Sequence, residues 1–216
     1  MEITYLGHSA FKIKTKTATV VTDPYGSSIG LKFPKTEAEI VTISHDHNDH
    51  NSSEGVTGVK KIVSGPGEYE IMGVSIIGIS SYHDNEKGKD RGKNTIYVIE
   101  ADGLRIAHLG DLGHELSSDL IDQMGAIDIL MIPVGGEYSL GSKAASVVSS
   151  EVDPYFIFPM HYQAQGLNQE TFSKLEPVEA FVKETGLPTE TLPKFSIKKD
   201  EIIDDQNAKV IILERK

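Results

Sequence analysis

Cysteine is absent from the 216 residues of the chain. Disulfide bonds, cysteine nucleophiles, iron–sulfur clusters and thiolate zinc sites are therefore excluded. No stretch of about 18 uncharged apolar residues is present either, so we expect no transmembrane helix. The N-terminal residues lack the basic stretch and following apolar run that are typical of a signal peptide. We therefore expect a cytoplasmic protein.

Positive charge is scarce, because 21 Lys and Arg residues face 32 Asp and Glu residues and give a formal net charge of −11. Such a chain has no general attraction for nucleic acid or anionic membranes, so neither is expected as the main partner. A hydrophobic fraction of 38% and a charged fraction of 25% are typical of a globular protein. The length predicts one domain over residues 1–216. The expected partner is a small-molecule substrate, and homo-oligomerisation is left open.

Short segments rich in β-branched residues alternate with glycine and polar clusters, a pattern that predicts strands separated by turns. Predicted strands cover residues 3–6, 10–14, 19–22, 39–44, 61–64, 70–80, 95–100, 104–109, 127–132, 155–159, 195–198 and 210–213, with a bulge or bend in 70–80 and turns at 101–103 and 204–207. Predicted helices cover residues 117–124, 142–152, 168–175 and 177–184. Because strands and helices are mixed along the chain, a layered α/β fold is expected.

One segment concentrates metal-binding side chains in the pattern H-x-H-x-D-H, formed by His45, His47, Asp49 and His50 directly after the predicted strand 39–44. Alternate residues of extended chain point the same way, so both His45 and His47 can reach one metal. A following helical turn would bring Asp49 and His50 to a neighbouring point, which suits two adjacent metals. Imidazole and carboxylate ligands without sulfur fit Zn²⁺, and also Mn²⁺, Fe²⁺ or Ni²⁺. The alternative is a solvated polar loop.

Three further candidates each follow a predicted strand. His83 comes after strand 70–80, Asp111 after strand 104–109 and His161 after strand 155–159. Binding sites in α/β sheets gather where strands end, so convergence with the His45–His50 segment is expected. Asp84 stands beside His83 and could replace it as a ligand.

These segments together resemble the metallo-β-lactamase superfamily, and in particular its short single-domain metal-dependent hydrolases, a group that includes ascorbate-phosphate lactonase-like proteins and uncharacterised zinc-dependent hydrolases. The resemblance rests on six segments that stand in the family's order: YLGHSAFKI, VVTDPY, TISHDHNDHN, SSYHD, AHLGDLGH and FPMHY. The H-x-H-x-D-H pattern is a specific signal when the other five segments accompany it in this order, whereas each of those segments alone is a weak signal.

The resemblance implies a four-layer αβ/βα sandwich with two mixed β-sheets and outer helices, and a site for two divalent ions, most simply Zn²⁺, at one edge. The family's ligand pattern falls on seven residues, three for the first metal, three for the second and one that bridges both: His45, His47 and His83; Asp49, His50 and His161; and Asp111. Asp23 matches a buried aspartate that supports the ligands from behind.

Other residues are predicted to support the ligands or line the substrate pocket: His8, His108 and Tyr138. For catalysis, we expect Asp49 or Asp111 to orient an attacking hydroxide and His114 to protonate the leaving group. His8 and Tyr138 are alternative proton donors.

The segment 84–94 carries four basic residues directly after His83: Lys87, Lys89, Arg91 and Lys93. In an acidic chain this cluster suggests recruitment of a phosphate or carboxylate. The alternative is a solvated, mobile loop, which is typical of charge runs.

The favoured function is hydrolysis of a small ester, lactone or phosphodiester by a dinuclear metal site. Two alternatives from other classes stay open: a mononuclear iron oxygenase on the same scaffold that acts on a sulfur compound, and a regulatory protein that binds metal without turnover. The metals supply the reaction in this superfamily and the loops supply specificity, so the sequence does not select the substrate.

Overall fold

Two mixed β-sheets form the framework of the protein in the computed structural model, which describes residues 1–203 and 207–216. In chain order the strands of these residues are β1 Glu2–Gly7, β2 Ala10–Lys14, β3 Thr19–Thr22, β4 Thr36–Glu37, β5 Ile40–Ile43, β6 Val56–Thr57, β7 Lys61–Ser64, β8 Gly67–Ile71, β9 Val74–Tyr82, β10 Lys93–Ala101, β11 Leu104–His108, β12 Ile129–Pro133, β13 Phe156–Met160, β14 Thr189–Leu192, β15 Phe195–Ser196 and β16 Lys209–Leu213. The α-helices are α1 Ser118–Met124, α2 Ser142–Val152, α3 Gln169–Phe172 and α4 Val178–Thr185, and 3₁₀ turns occupy Ser27–Ile29, Ser53–Gly55 and Lys199–Glu201.

The strand order places several strand ends at one edge of the molecule. The first sheet has the order β15-β1-β2-β3-β5-β7 and the second the order β14-β16-β13-β12-β11-β10-β9-β8, while β4 and β6 form a separate ribbon. Strands β3, β5 and β7 are parallel, as are β11, β12, β13, β16 and β14, whereas the remaining pairs of both sheets are antiparallel. Because parallel neighbours run in one direction, the residues that follow them lie close together.

The sheets pack face to face over a common apolar core. Ile13 of the first sheet and Ile99 and Met131 of the second are fully buried in this cluster. A second cluster on the other face of the second sheet includes Val148 of α2 and Phe181 of α4. Long apolar runs such as β12 are therefore buried on both faces, as expected of parallel strands under helices. The layered α/β fold with two mixed sheets is confirmed.

The outer layer of the first sheet is built from short segments. Its core cluster joins Val21 and Val41 of the sheet to Tyr25, Ile29 and Phe172 from the segments that cover it. The predicted helix 168–175 is correspondingly wrong in length, because only Gln169–Phe172 is helical. The helix has its C-cap at Ser173, and residues 173–175 lie outside it. Among the described residues, no helix has both the length and the apolar composition needed to cross a bilayer.

The predicted single strand 70–80 is wrong as well, because the chain forms a hairpin of β8 and β9. Ile71 pairs with Val74, and the two residues between them, Met72 and Gly73, have φ of 54° and 76°. Two consecutive residues with positive φ define the tight turn that best matches strand twist. The same turn type joins β10 to β11 at 102–103, as predicted. Most of the predicted turn 204–207 lies outside the described residues.

Candidate metal centre

Six strand ends meet at one edge of the sandwich and carry the polar residues of the candidate site. The strands are β1, β3, β5, β9, β11 and β13, and the residues that follow them are His8, Asp23, His45 with its neighbours to His50, His83, Asp111 and His161. The structure thus brings together the four strand ends with ligand candidates in the sequence. The ends of β1 and β3 join them with His8 and Asp23, which the sequence analysis predicted to support the ligands or line the pocket.

Three of these residues have left-handed backbone conformations that residues other than glycine seldom adopt. The φ angle is 56° at His8, 37° at Asp23 and 52° at His161. Backbone hydrogen bonds hold the turns, because His161 N–H donates to the His8 carbonyl and Asp23 N–H to the Thr42 carbonyl, each at 2.9 Å. Strain of this kind persists where the surrounding structure imposes it, and it clusters at functional sites. It marks this edge as a candidate site.

The first group of potential ligands consists of His45, His47 and His83. One ring nitrogen of each lies within 4.8 Å of the corresponding atoms of the other two. Burial, together with the nearby His50, lowers the pKa of His45 to about 3, so its ring is neutral. Neutral imidazole is the form that coordinates a metal. This group is the one that the resemblance implies for the first metal.

The second group consists of Asp49, His50 and His161, and the structure adds His8 to it. Their ligand atoms also lie within 4.8 Å of one another. His8 is buried, and its Nε2 lies 3.1 Å from Asp49 Oδ2. Burial and the neighbouring His161 lower the pKa of His8 to about 4. The sequence suggested a pocket role for His8, but its position is among the potential ligands.

Asp111 lies between the two groups. Its Oδ2 is 3.1 Å from His161 Nε2, 3.2 Å from His50 Nε2 and 3.3 Å from His83 Nε2. The backbone beside the carboxylate is fixed because Asp111 N–H donates to Asn94 Oδ1 at 3.1 Å. A bridging ligand must contact both groups, and Asp111 occupies such a position.

Burial and charge compete strongly in this cluster. Burial alone would raise the pKa of Asp111, but His161 and His50 outweigh it and hold that pKa well below its ordinary value. Burial would likewise lower the pKa of His161, but Asp111 dominates and raises it to about 9. The pKa of His50 is raised well above its ordinary value, because Asp111 and Asp49 outweigh its burial. In the metal-free protein the two imidazoles therefore hold protons that a metal would displace.

Asp23 supports the ligands through hydrogen bonds, directly and through Ser44. Asp23 Oδ2 accepts from His50 Nδ1 at 2.8 Å and from Ser44 Oγ at 2.5 Å, and the Ser44 hydroxyl in turn lies 2.9 Å from His45 Nδ1. With Nδ1–H donating in both rings, each histidine presents an unprotonated Nε2 to the cluster when neutral. Sequence reasoning missed Ser44, although its place directly before His45 was a usable signal.

His108 and His114 lie outside this cluster. His108 is buried beneath it, where Nε2 donates to the Ser9 carbonyl at 2.8 Å and Nδ1 accepts from Gly110 N–H at 3.3 Å. His114 uses both ring nitrogens on backbone, since Nε2 accepts from Tyr82 N–H at 3.2 Å and Nδ1 donates to the Glu115 carbonyl at 2.8 Å. The catalytic role predicted for His114 therefore has no support in the geometry.

A cavity of about 440 Å³ opens onto the cluster. Its lining consists of Ser28, Ile29, Asp46, His47, Asn48, Asp49, His83, Arg91, Asp111, Tyr138, Thr171 and Phe172. Tyr138 thus lines the pocket as predicted, but its hydroxyl donates to the Thr171 carbonyl at 2.6 Å, so the phenolic proton is already committed. The volume falls in the range typical of small-molecule sites.

The loop after His83 is organised by Asp84, which is therefore not a substitute ligand. The Asp84 carboxylate accepts backbone N–H groups from four residues of the loop, at 2.7 Å from Glu86, 2.8 Å from Gly88, 3.0 Å from Asp90 and 2.8 Å from Arg91. Desolvation opposes ionisation, but these hydrogen bonds dominate and lower the pKa of Asp84 to about 2. The segment that the sequence left open as a solvated, mobile loop is therefore a turn with four amides bound to one carboxylate.

The donor set fits a metal centre. Buried atoms that make no hydrogen bond among the described residues include His45 Nε2 and Asp111 Oδ1, whereas Nε2 of His50 and His161 is paired with Asp111 Oδ2 alone. Unpartnered buried polar atoms are costly and rare in folded proteins. Nitrogen and carboxylate oxygen are ligands of divalent transition metals, and coordination would satisfy the atoms that the protein leaves unpaired.

Comparison with known proteins finds a matching family model and similar proteins. A family model described as β-lactamase superfamily domain matches residues 2–161. A relative from Thermococcus onnurineus, named a UPF0173 metal-dependent hydrolase, is 28% identical over 206 residues, which cover 81% of this chain and 92% of that protein.

Solved structures show the same similarity. A proposed Zn-dependent hydrolase of the metallo-β-lactamase superfamily from Thermotoga maritima is 32% identical, covers 99% of each chain and has a TM-score of 0.78. A metallo hydrolase from Ignicoccus hospitalis, 22% identical over 86% of this chain and 90% of that one, shares the fold with a TM-score of 0.65. The chain therefore belongs to the metallo-β-lactamase superfamily.

Proposed function

We propose that the protein is a hydrolase that uses two divalent metal ions, most simply Zn²⁺, to cleave a small ester, lactone or phosphodiester. The observation that carries the proposal is the position of Asp111, which contacts imidazoles of both ligand groups within a buried edge of the sandwich. A bound metal would also satisfy His45 Nε2 and Asp111 Oδ1, which are buried without a hydrogen-bond partner among the described residues. Relatives named as metal-dependent hydrolases support the reaction class.

The ions, when bound, would activate a water molecule and polarise the substrate's carbonyl or phosphoryl oxygen. His45, His47 and His83 would hold one ion, and Asp49, His50 and His161 the other, with Asp111 shared. His8 would be a further potential metal ligand beside the second group.

Two carboxylates, those of Asp49 and Asp111, are candidates to orient the attacking water and accept its proton. Asp49 lines the cavity with its side chain 21% exposed, whereas Asp111 is 2% exposed and is enclosed by imidazoles. We assign the orientation of the attacking water to Asp49 for this reason. Nε2 of His8 donates to Asp49 Oδ2 at 3.1 Å and so fixes the direction of that carboxylate.

Metal content per chain, measured by elemental analysis on protein purified without a His tag, tests the proposal first. About two Zn, Mn or Ni ions per chain, with turnover of an ester, lactone or phosphodiester, would support it. About one iron per chain with oxygen consumption would favour the oxygenase alternative instead. Two bound ions without turnover on a broad panel would favour a regulatory protein, and failure to bind any metal would refute all three functions.

A further inference from the structure

Arg91 shares the cavity with the candidate ligands. The cavity lined by His47, His83 and Asp111 is also lined by Arg91, whose side chain is half-buried, and no other Lys or Arg of the described residues is in that lining. The neighbouring Lys87, Lys89 and Lys93 of the same basic segment are exposed. We propose that Arg91 binds a carboxylate or phosphate group on the part of the substrate away from the hydrolysed bond.

This inference rests on the proposed function and deepens it, because it names the class of substrate: a small molecule with a second, anionic group. Two contacts hold the guanidinium in place. Its Nη2 donates to the Glu137 carbonyl at 3.0 Å, and its Cζ lies 4.9 Å from the centre of the Tyr138 ring. A guanidinium has five N–H donors, so donors remain for an oxyanion. A guanidinium that is already held by a stacked ring and a hydrogen bond loses little conformational entropy when it binds a planar carboxylate or a phosphate.

The positive charge of Arg91 has no carboxylate partner within 4.0 Å among residues 1–203 and 207–216. The nearby acids are engaged elsewhere. The Asp84 carboxylate accepts backbone N–H groups, including that of Arg91 itself at 2.8 Å. The Glu137 carboxylate lies 3.4 Å from Lys174 Nζ, and Asp46, which also lines the cavity, accepts from Asn51 at 2.7 Å. An unpaired guanidinium beside a pocket is a ready partner for an anion.

One loop carries both Arg91 and the candidate ligand His83, and its hydrogen bonds fix the position of one residue relative to the other. His83 N–H donates to the Gly92 carbonyl at 3.1 Å and closes the base of the loop. Asp84 then holds the residues between them through their amides. A substrate anchored at Arg91 would therefore be held at a set position relative to the reacting centre, which is the requirement for orientation. The net charge of −11 would otherwise repel an anion.

Isothermal titration calorimetry on the zinc-loaded protein tests the assignment with two matched series of probes. One series is malonate, succinate, glutarate and adipate, and the other is the monocarboxylates of the same chain lengths. We expect the best dicarboxylate to bind about ten- to a hundredfold more tightly than its monocarboxylate match, as for a charge-assisted hydrogen bond. Arg91→Gln should abolish this preference, and Arg91→Lys should retain part of it because the charge remains.

Lys89→Gln is the matched control, because it removes the same charge from an exposed position of the same loop. It should leave the preference intact. Absence of a preference in the native protein, or its survival in Arg91→Gln, would overturn the proposal. If Arg91→Gln and Lys89→Gln lost the preference for dicarboxylates equally, the proposal would also be overturned. Such a result would indicate long-range electrostatic attraction by the loop instead of a direct contact with Arg91.

Metal content and hydrolysis of neutral esters, measured on the native preparation, separate this proposal from the function on which it rests. Native protein that holds metal and hydrolyses neutral esters without preferring dicarboxylates would refute the Arg91 assignment alone. Native protein that neither holds metal nor hydrolyses any substrate would refute the proposed function, and the substrate role of Arg91 with it.

Discussion

At the scale of single residues, Asp111 is the group on which both halves of the candidate centre depend. Its carboxylate is 2% exposed and lies within 3.3 Å of imidazole nitrogens from three different strand ends. A charge buried this deeply is stable only when it is paired. The surrounding imidazoles provide that pairing in the metal-free protein, and metals would provide it in the loaded one.

Replacement of Asp111 by asparagine keeps the shape and removes the charge. We expect Asp111→Asn to lose at least one metal equivalent and to lower turnover by more than about a hundredfold, since even outer-shell partners are worth about 10–100-fold. Elemental analysis and steady-state kinetics on the same sample check both effects. A variant that retains two metals and normal turnover would contradict the bridging role.

Ser44 is a second single-residue determinant, because its hydroxyl links Asp23 to His45. Ser44→Ala removes the group that sets the His45 tautomer, so we expect metal affinity to fall by about 10–100-fold. Competition with a chromophoric chelator measures this. Ser149→Ala is the control, because Ser149 is equally buried but donates within helix α2 to the Ala145 carbonyl. Equal losses of metal affinity in the two variants would contradict the role of Ser44.

At the scale of elements, close backbone approach sets the positions of the strand ends. A Cβ added at Gly135 would overlap the carbonyl oxygen of His161, whereas one added at Gly141 would have its nearest neighbour at 3.7 Å. We expect Gly135→Ala to lower the free energy of unfolding by about 1–3 kcal/mol, as in overpacked sites, and to weaken metal binding. Denaturant unfolding and metal titration should show neither effect in Gly141→Ala. Normal metal affinity in Gly135→Ala would show that this contact does not position His161.

The loop between β9 and β10 depends on one carboxylate. Asp84→Ala should speed amide hydrogen exchange at Glu86, Gly88, Asp90 and Arg91, because each of their N–H groups donates to Asp84. The pKa of Asp84 is depressed to about 2, so its contribution is present above the ordinary carboxyl pKa and is lost as pH falls through about 2. Asp90→Ala, which changes the same charge at an exposed position, should leave the exchange of the other three amides unchanged. Unchanged exchange in Asp84→Ala would refute this organising role.

At the scale of the whole molecule, metal binding is coupled to protons and to stability. The pKa of His161 is raised to about 9, because Asp111 outweighs its burial. A group with a raised pKa stabilises the metal-free fold fully below its ordinary value, and that stabilisation is lost as pH rises through about 9. The metal-free protein should therefore lose stability at alkaline pH.

Metal must displace the same protons. We expect the apparent affinity for Zn²⁺ to rise from about pH 6 to about pH 8, by about tenfold per pH unit for each proton released. Calorimetry in buffers that differ in ionisation enthalpy counts the protons. Chelation should lower the melting temperature, since a ligand at a thousand times its Kd adds about 4 kcal/mol. An affinity independent of pH would contradict the protonation of His50 and His161.

The sequence was sufficient where the information is local. The segment from His45 to His50 carries four candidate ligands within six residues, so its chemistry is readable without any long-range contact. Alternation and turn residues also predict most strands, because β-branched runs favour extended backbone. The superfamily follows from the order of such local segments, and the family comparison confirms it.

The family resemblance already predicted that Asp23 and the three ligand candidates at other strand ends join that segment, but only the tertiary structure placed His8 among the potential ligands and set the contact geometry. His8 is 41 positions from Asp49 and Asp23 is 27 from His50, and no spacing rule connects either pair. The left-handed φ of 56° at His8 and 37° at Asp23 turns the chain at the strand ends, and a strand pattern does not predict it. His114 is three residues after Asp111, but both of its ring nitrogens hydrogen-bond to backbone groups outside the site. Arg91, by contrast, lines the cavity. The local pattern determined the metal-binding chemistry, and packing between the sheets determined its geometry, because a side chain's direction after a strand end depends on contacts that the strand itself does not contain.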